Sequence, residues 1–134
     1  MLLVKTKLGP SKIHGIGLFA DEFIPKNTPI WKFSPGLDIK LTERELAKLP
    51  QNAQYFIQHY CYHSIVDKKY VILFDDARFF NHSSNPNVIS MDIPDDPEGM
   101  EIALRDIQPS EELLCDCREF DTDCAEGKEE YTKG

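Results

Sequence analysis

A chain of 134 residues that is 41% hydrophobic, with eight Phe, is long enough to bury one core and too apolar to remain disordered. No apolar run approaches the roughly 20 residues needed to cross a bilayer, and the short apolar start before Lys5 is a poor secretory signal, so a soluble cytoplasmic chain with no membrane partner is expected. The net charge of −8 is uneven, +3 over residues 1–48 and −11 over residues 49–134, which repels nucleic acid and suits a basic protein partner.

In chain order, residues 2–4 read as a short strand, Gly9-Pro10 as a break, and Leu18-Phe19-Ala20, introduced by Gly15-Ile16-Gly17, as a second strand. A turn signal at residues 24–27 precedes a strand over residues 29–33, which Ser34-Pro35-Gly36 ends. Thr42 and Glu45 form a capping box and predict a short helix to about Leu49, with Leu46 and Leu49 on one face. Pro50 interrupts it, and residues 53–60 suit a second helix. Asp67-Lys68-Lys69 is a polar turn before a strand over residues 70–74. Residues 91–99, with Pro94, Asp95, Asp96, Pro97 and Gly99, read as a solvated acidic loop. Residues 100–105 alternate apolar and other side chains, as a half-exposed strand does. Pro109-Ser110 turns the chain into residues 113–115, and from Asp121 a polar, loosely held tail is expected. The sum is a mainly β chain with a small helical insert. It has no βαβ rhythm, which excludes a Rossmann-type fold.

The sharpest local signal is Arg78-Phe79-Phe80-Asn81-His82-Ser83-Ser84-Asn85-Pro86-Asn87. Asn, Ser and Pro at this density make an irregular loop whose side chains bond nearby backbone. That accounts for Ser83 to Asn87. It leaves Arg78, Asn81 and His82 beside two Phe, where buried polar groups need partners, so the loop suits a polar ligand. The run closely resembles the Arg-Phe-x-Asn-His-Ser-x-x-Pro-Asn signature of SET domains. Gly15-Ile16-Gly17-Leu18-Phe19-Ala20 is similar to that family's Gly-x-Gly-Leu-Phe-Ala. Ser110-Glu111-Glu112-Leu113-Leu114-Cys115-Asp116-Cys117 is similar to its Gly-Glu-Glu-Leu-x-Tyr-Asp-Tyr. The three motifs occur in the family's order and span roughly residues 3–120.

The resemblance implies a SET domain over residues 1–120, a β-clip of several short sheets whose C-terminal segment threads under the Asn-His loop in a knot-like way, followed by a polar tail over residues 121–134. It implies transfer of methyl groups from S-adenosylmethionine to a lysine on a protein with a basic segment, cofactor and lysine entering from opposite faces. On this resemblance the backbone of Gly15, Ile16 and Gly17 approaches the methionine part of the cofactor. Asn81 bonds its amino-acid end, and His82 and Phe120 contact its adenine. Phe33, Tyr60, Tyr62 and Phe79 are candidates for the walls of the lysine channel. Arg78 is expected to brace the loop, and of the solvated Glu111 and Glu112 one is expected to bond back to it.

Two positions depart from the family. Cys117 stands at the place of its catalytic Tyr, and Cys115 at that of the Tyr that tunes methyl number. A thiol is a weak donor on a shorter side chain, so the alternative is a SET-fold module that binds cofactor or a Lys-containing peptide with little or no turnover. Phe33-Ser34-Pro35-Gly36 replaces an early Tyr-x-Gly, and Tyr131 in the tail is a further source of a hydroxyl. Disulfides are not expected in an intracellular chain. Cys115, Cys117 and Cys124, with Cys61 or His63, offer zinc-type ligands. Ser84, however, replaces the cysteine that the family's zinc segment draws from Asn-His-Ser-Cys, and no metal is expected.

Overall fold

The computed structural model describes residues 1–125. Its elements are β1 (Thr6–Pro10), β2 (Ile16–Ala20), β3 (Pro29–Lys32), β4 (Ile39–Leu41), α1 (Glu43–Ala47), α2 (Gln51–Tyr60), β5 (Tyr62–His63), β6 (Tyr70–Ile72), β7 (Asn81–His82), β8 (Val88–Ile93), β9 (Asp96–Ala103), β10 (Leu114–Cys115) and α3 (Thr122–Ala125), with single-turn helices at Asp76–Phe79 and Cys117–Glu119. Three small sheets result. β1 and β2 form a hairpin, β4, β6 and β5 a second sheet, and β3, β9, β8, β10 and β7 the largest. Among the described residues no helix is long and apolar enough to cross a membrane.

The main core lies between the hairpin and the largest sheet, where Leu18, Ile24, Ile30, Val88, Ile107 and Leu113 are fully buried. The helical insert docks separately. The Thr42 hydroxyl accepts the Glu45 amide at 3.0 Å while the Glu45 carboxylate accepts the Thr42 amide at 2.9 Å, which starts α1 as the sequence predicts. Leu46 and Leu49 then pack with Ile57 of α2 against Tyr70 of β6.

The C-terminal segment is inserted rather than added at an edge. Leu113 donates to the Leu18 carbonyl, and β10 then lies parallel between β7 and β8, pairing Leu114 with Asn81 and Cys115 with both His82 and Val88. Residues 83–87 bridge over it, with Ser83 and Asn87 donating to the carbonyls of Cys115 and Leu114. The Asn87 side chain acts as one more strand residue, donating to the Glu112 carbonyl and accepting the Leu114 amide, each at 2.8 Å. This is the threading expected of the C-terminal motif.

Several local expectations are corrected. Of residues 2–4 only Leu2 pairs, in a single bridge to Trp31. Gly9 and Pro10 lie inside β1, where Pro is tolerated because a two-stranded hairpin leaves one edge unpaired. The strand predicted over residues 70–74 stops at Ile72. Residues 91–99 are not a solvated loop but the end of the β8–β9 hairpin. Asp95 (φ 65°) turns the chain, and at Gly99 (φ 63°) a Cβ would stand 2.5 Å from the Met91 carbonyl oxygen. The alternation predicted over residues 100–105 is not seen: Glu101, Ile102 and Ala103 are buried in succession, and the strand ends at Ala103 before the 40% exposed Leu104.

Nor is the chain loose from Asp121. Asp121, Thr122 and Cys124 are buried, Asp121 pairs with Ser64, and Cys124 is disulfide-bonded to Cys117, against the expectation of unpaired thiols. The single-turn helix and α3 fold back on each other and bring Cα117 and Cα124 to 5.9 Å, a distance a disulfide spans. The remainder of the expected tail, with Tyr131, lies outside the described residues. Closing so short a loop stabilises by about 2–3 kcal/mol on chain-entropy grounds, so a reductant should lower the urea midpoint of the native chain and leave that of Cys124→Ser unchanged. Equal midpoints for the native chain with and without reductant would contradict the pairing.

Candidate functional site

One carboxylate organises the turn between β1 and β2. Glu112 accepts the Ser11 hydroxyl on both oxygens at 2.8 Å and the Asn81 side-chain amide at 2.9 Å. The same amide donates to the carbonyls of His14 (3.0 Å) and Ile16 (3.3 Å), and the Ser11 hydroxyl accepts the Ile13 amide. A Cβ at Gly17 would run into the Glu112 carboxylate and stand 3.0 Å from Ser11 Cβ, so any larger residue there must displace that carboxylate from its bonds. Gly15, at φ 47°, has nothing within 4 Å of where its Cβ would stand, and its backbone is open. Three elements far apart in sequence thus hold residues 14–16 in one shape.

That turn forms one side of a cavity completed by Phe79 and Asn81. A second cavity is lined by Trp31, Tyr62, Phe120, Glu98, Glu101 and Cys117, among others. His59, Tyr60, Arg78 and Phe80 line both and form a common wall. The wall is set by the end of α2 and by the turn at Asp76–Phe79. Asp75 caps that turn by accepting the Ala77 amide at 3.1 Å, and it ties down Leu2 through a 2.8 Å bond. Arg78 lies over the Phe79 ring, 5.0 Å from its centroid.

The second cavity is aromatic but carries buried charge. Trp31, Tyr62 and Phe120 meet edge to face, with centroids 6.5 and 5.0 Å apart. The Tyr62 phenol donates to Glu98 Oε1 at 2.5 Å, and burial together with that carboxylate holds it well above its usual pKa, so it stays neutral. Glu98 also accepts Lys40 at 2.8 Å and Ser64 at 3.0 Å. Glu101 accepts only the Ser90 hydroxyl, at 2.6 Å on Oε1. Its Oε2 and the Trp31 indole nitrogen have no hydrogen-bond partner among the described residues. Burial, with the Glu119 charge nearby, pushes the Glu101 carboxyl up to about 7.

Cys117 lines this cavity, but its sulfur is held by Cys124 and carries no proton. Its backbone amide donates to His82 Nδ1 at 3.3 Å, and burial lowers the His82 pKa, so the ring is neutral. Cys115 is buried, with its thiol pushed well above the usual value by burial, and is inert. Ligand atoms of His82, Cys117 and Cys124 come within 4.8 Å of one another, but a sulfur in a disulfide is not the thiolate that zinc requires.

The residues singled out in the sequence are therefore divided. Gly15, Ile16 and Asn81 line the first cavity, joined by Phe79 from the channel set, while Gly17 sits behind it under Glu112. His82, Phe120, Tyr62, Cys115 and Cys117 line the second, and Tyr60 lines both. Phe33 lines neither and packs with Trp31 and Tyr62, with Lys40 Nζ 5.4 Å above its ring. Arg78 is in the common wall rather than only bracing the loop, and Glu112 makes the backbond expected of one of the paired acids. Sequence reasoning missed Trp31, Glu98 and Glu101. The available signal was a charged residue inside the β9 strand pattern.

The SET-domain family model matches residues 15–118. No curated protein sequence matches the chain. Among solved structures, a candidate histone methyltransferase from Plasmodium falciparum superposes with a TM-score of 0.57 at 24% identity, over 86% of this chain and 94% of that one. At that identity the likeness speaks to the fold, and it agrees with the three small sheets and the inserted β10. The family match itself runs from the glycine turn, through both cavities and the threaded segment, to the residue after Cys117, so the chain belongs to the SET-domain family of protein methyltransferases, whose methyl donor is S-adenosylmethionine.

Proposed function

We propose that the chain methylates a lysine side chain presented by a basic segment of another protein. The observation that carries this reading is the pair of cavities with a common wall: one is bordered by the open Gly15 backbone and Asn81, the other by Trp31, Tyr62 and Phe120 with Glu98 and Glu101. The first suits the cofactor. It offers about 250 Å³ of space and combines the open Gly15 backbone, the Arg78 cation and the flanks of Phe79 and Phe80. Gly15, Ile16 and Asn81 would hold S-adenosylmethionine there, whereas His82 and Phe120 line the aromatic cavity and not this one. When bound, the cofactor supplies an electrophilic methyl group on a sulfonium.

The chain's own residues supply position and dryness. Asn81 fixes the carbonyls of His14 and Ile16, so the turn meets its ligand already shaped. Trp31, Tyr62 and Phe80 exclude water around the neutral amine that attacks, the ammonium proton of the incoming lysine having first gone to solvent, and their rings favour the methylammonium product. With Cys117 in place of the family's tyrosine, the Tyr60 phenol in the common wall is the hydroxyl we assign to orienting the amine.

Incubation with isotope-labelled S-adenosylmethionine and a Lys-rich protein mixture tests the reading. The native chain should label lysine, and Tyr60→Phe should slow labelling on the order of 10²-fold, the cost of a misplaced reactant. A second reading, a SET module that binds without turnover, is favoured by the disulfide at Cys117, which leaves no donor at the tyrosine's position. It prevails if the native chain labels nothing while Cys117→Tyr does.

A further inference from the structure

We infer that Glu101 is the residue that receives the ligand's positive charge in the aromatic cavity, so that the cavity selects an alkylammonium group over a neutral chain of the same shape. The inference rests on the proposed reading for identifying that group as a lysine side chain, while selection of an ammonium is tested separately.

Glu101 and Trp31 are cross-strand partners on β9 and β3, and both side chains line the cavity. Each has an unmet polar atom there: Oε2 of a carboxylate that is 8% exposed, and Nε1 of an indole that is 4% exposed. Two unmet buried groups side by side are unusual in a native interior, where such groups nearly always have partners. An ammonium with one bound water meets both needs, donating to Oε2 and bringing an acceptor to the indole. The aromatic edges and faces of Trp31, Tyr62 and Phe120 suit the aliphatic stem that follows it.

The other ionisable groups facing the cavity are committed elsewhere. Glu98, on the same strand, already accepts Lys40, Tyr62 and Ser64. The thiols of Cys61 and Cys115 are pushed up by burial, that of Cys61 to about 11, and both are neutral. Arg78, in the common wall, lines both cavities with its guanidinium over the Phe79 ring, and its positive charge stays fixed across the pH range of the test. His59, His82 and Asp121 also line the cavity, and Glu119 acts on Glu101 from the single-turn helix after β10. Any of these four that changes charge with pH also affects a cationic ligand, so pH dependence must be compared with and without the Glu101 carboxyl.

Trp31 is the single tryptophan, and its fluorescence reports on the cavity directly. The probes are n-butylammonium and n-butanol. At pH 8 the native chain should bind n-butylammonium saturably and n-butanol at least about tenfold more weakly, the scale of one hydrogen bond to a charged group. Glu101→Gln should lose at least about tenfold in n-butylammonium affinity, and Glu101→Asp should retain part of it. In the native chain the affinity should fall between pH 8 and pH 5.5 as the carboxyl takes a proton, and in Glu101→Gln the fall should be clearly smaller, an equal fall in both overturning the inference. The inference is overturned if n-butanol binds as well as the ammonium, if the Gln variant binds like the native chain, or if no saturable response occurs. The pH series on the native chain keeps the test available should a variant fail to fold, since a flat profile also overturns it. Calorimetry of the native chain with S-adenosylmethionine is the separate arm. Cofactor binding without ammonium selection sinks the inference alone, and ammonium selection without cofactor binding sinks the methyltransferase reading alone.

Discussion

Replacing Glu101 by Gln is expected to shift the stability gap between variant and native chain by roughly 3 kcal/mol between pH 4.5 and pH 8, in favour of the variant at the higher pH. Burial raises the Glu101 carboxyl from 4.5 to about 7. The folded state therefore holds that proton more tightly than the unfolded chain does. Below the unfolded value both states are protonated and the carboxyl costs nothing. As pH rises from 4.5 to 7 the unfolded chain releases the proton first, and the native chain loses stability throughout that window; above 7 the loss is complete. Gln keeps an oxygen for the Ser90 hydroxyl and has no charge to bury. Urea unfolding of both proteins across this range measures the gap, and one that does not change with pH would mean the carboxyl is not ionising inside the fold. Such a cost, carried without an internal cation, is what a site for an external cation requires.

Gly17→Ala should destabilise by roughly 3 kcal/mol or more, although the residue is neither catalytic nor in a turn that needs a positive φ. The added methyl displaces the Glu112 carboxylate, which then loses its bonds to Ser11 and Asn81. Hydrogen bonds to a charged group are worth about 1.5–3 kcal/mol each, and Asn81 would also loosen its hold on the His14 and Ile16 carbonyls. A double-mutant cycle isolates the cause. In a Glu112→Ala background the same glycine change should cost far less, because the atoms it meets are gone. Additive effects would show that the damage lies in the backbone and not in the carboxylate.

Much of this was legible in the sequence because it is local. Thr42 and Glu45 specify their helix start within four residues, and the three motifs around Gly15, Asn81 and Glu112 mark the segments that meet at the turn. What composition misread was residues 91–99, since Pro94, Asp95 and Gly99 serve a tight hairpin as well as they serve a loop. Glu101 was hidden for a different reason. Its place opposite Trp31 depends on the register between β3 and β9, a pairing of distant segments that no local pattern encodes. The Cys117–Cys124 bond likewise follows from two short helical turns folding back on each other, and only three-dimensional proximity reveals it.

The insertion of β10 between β7 and β8 also sets an order of assembly. During synthesis both flanking strands leave the ribosome before their shared partner, roughly thirty residues further on. Until it arrives, two strand edges face solvent with their amides and carbonyls open, a template for pairing with another chain. Because residues 83–87 span the slot, the late segment must pass beneath them or wait for them to wrap around it. Either route closes contacts distant in sequence at the final stage, which slows folding and lengthens the interval of exposure. In this topology the edges of β7 and β8 stay open until the segment of β10 reaches them.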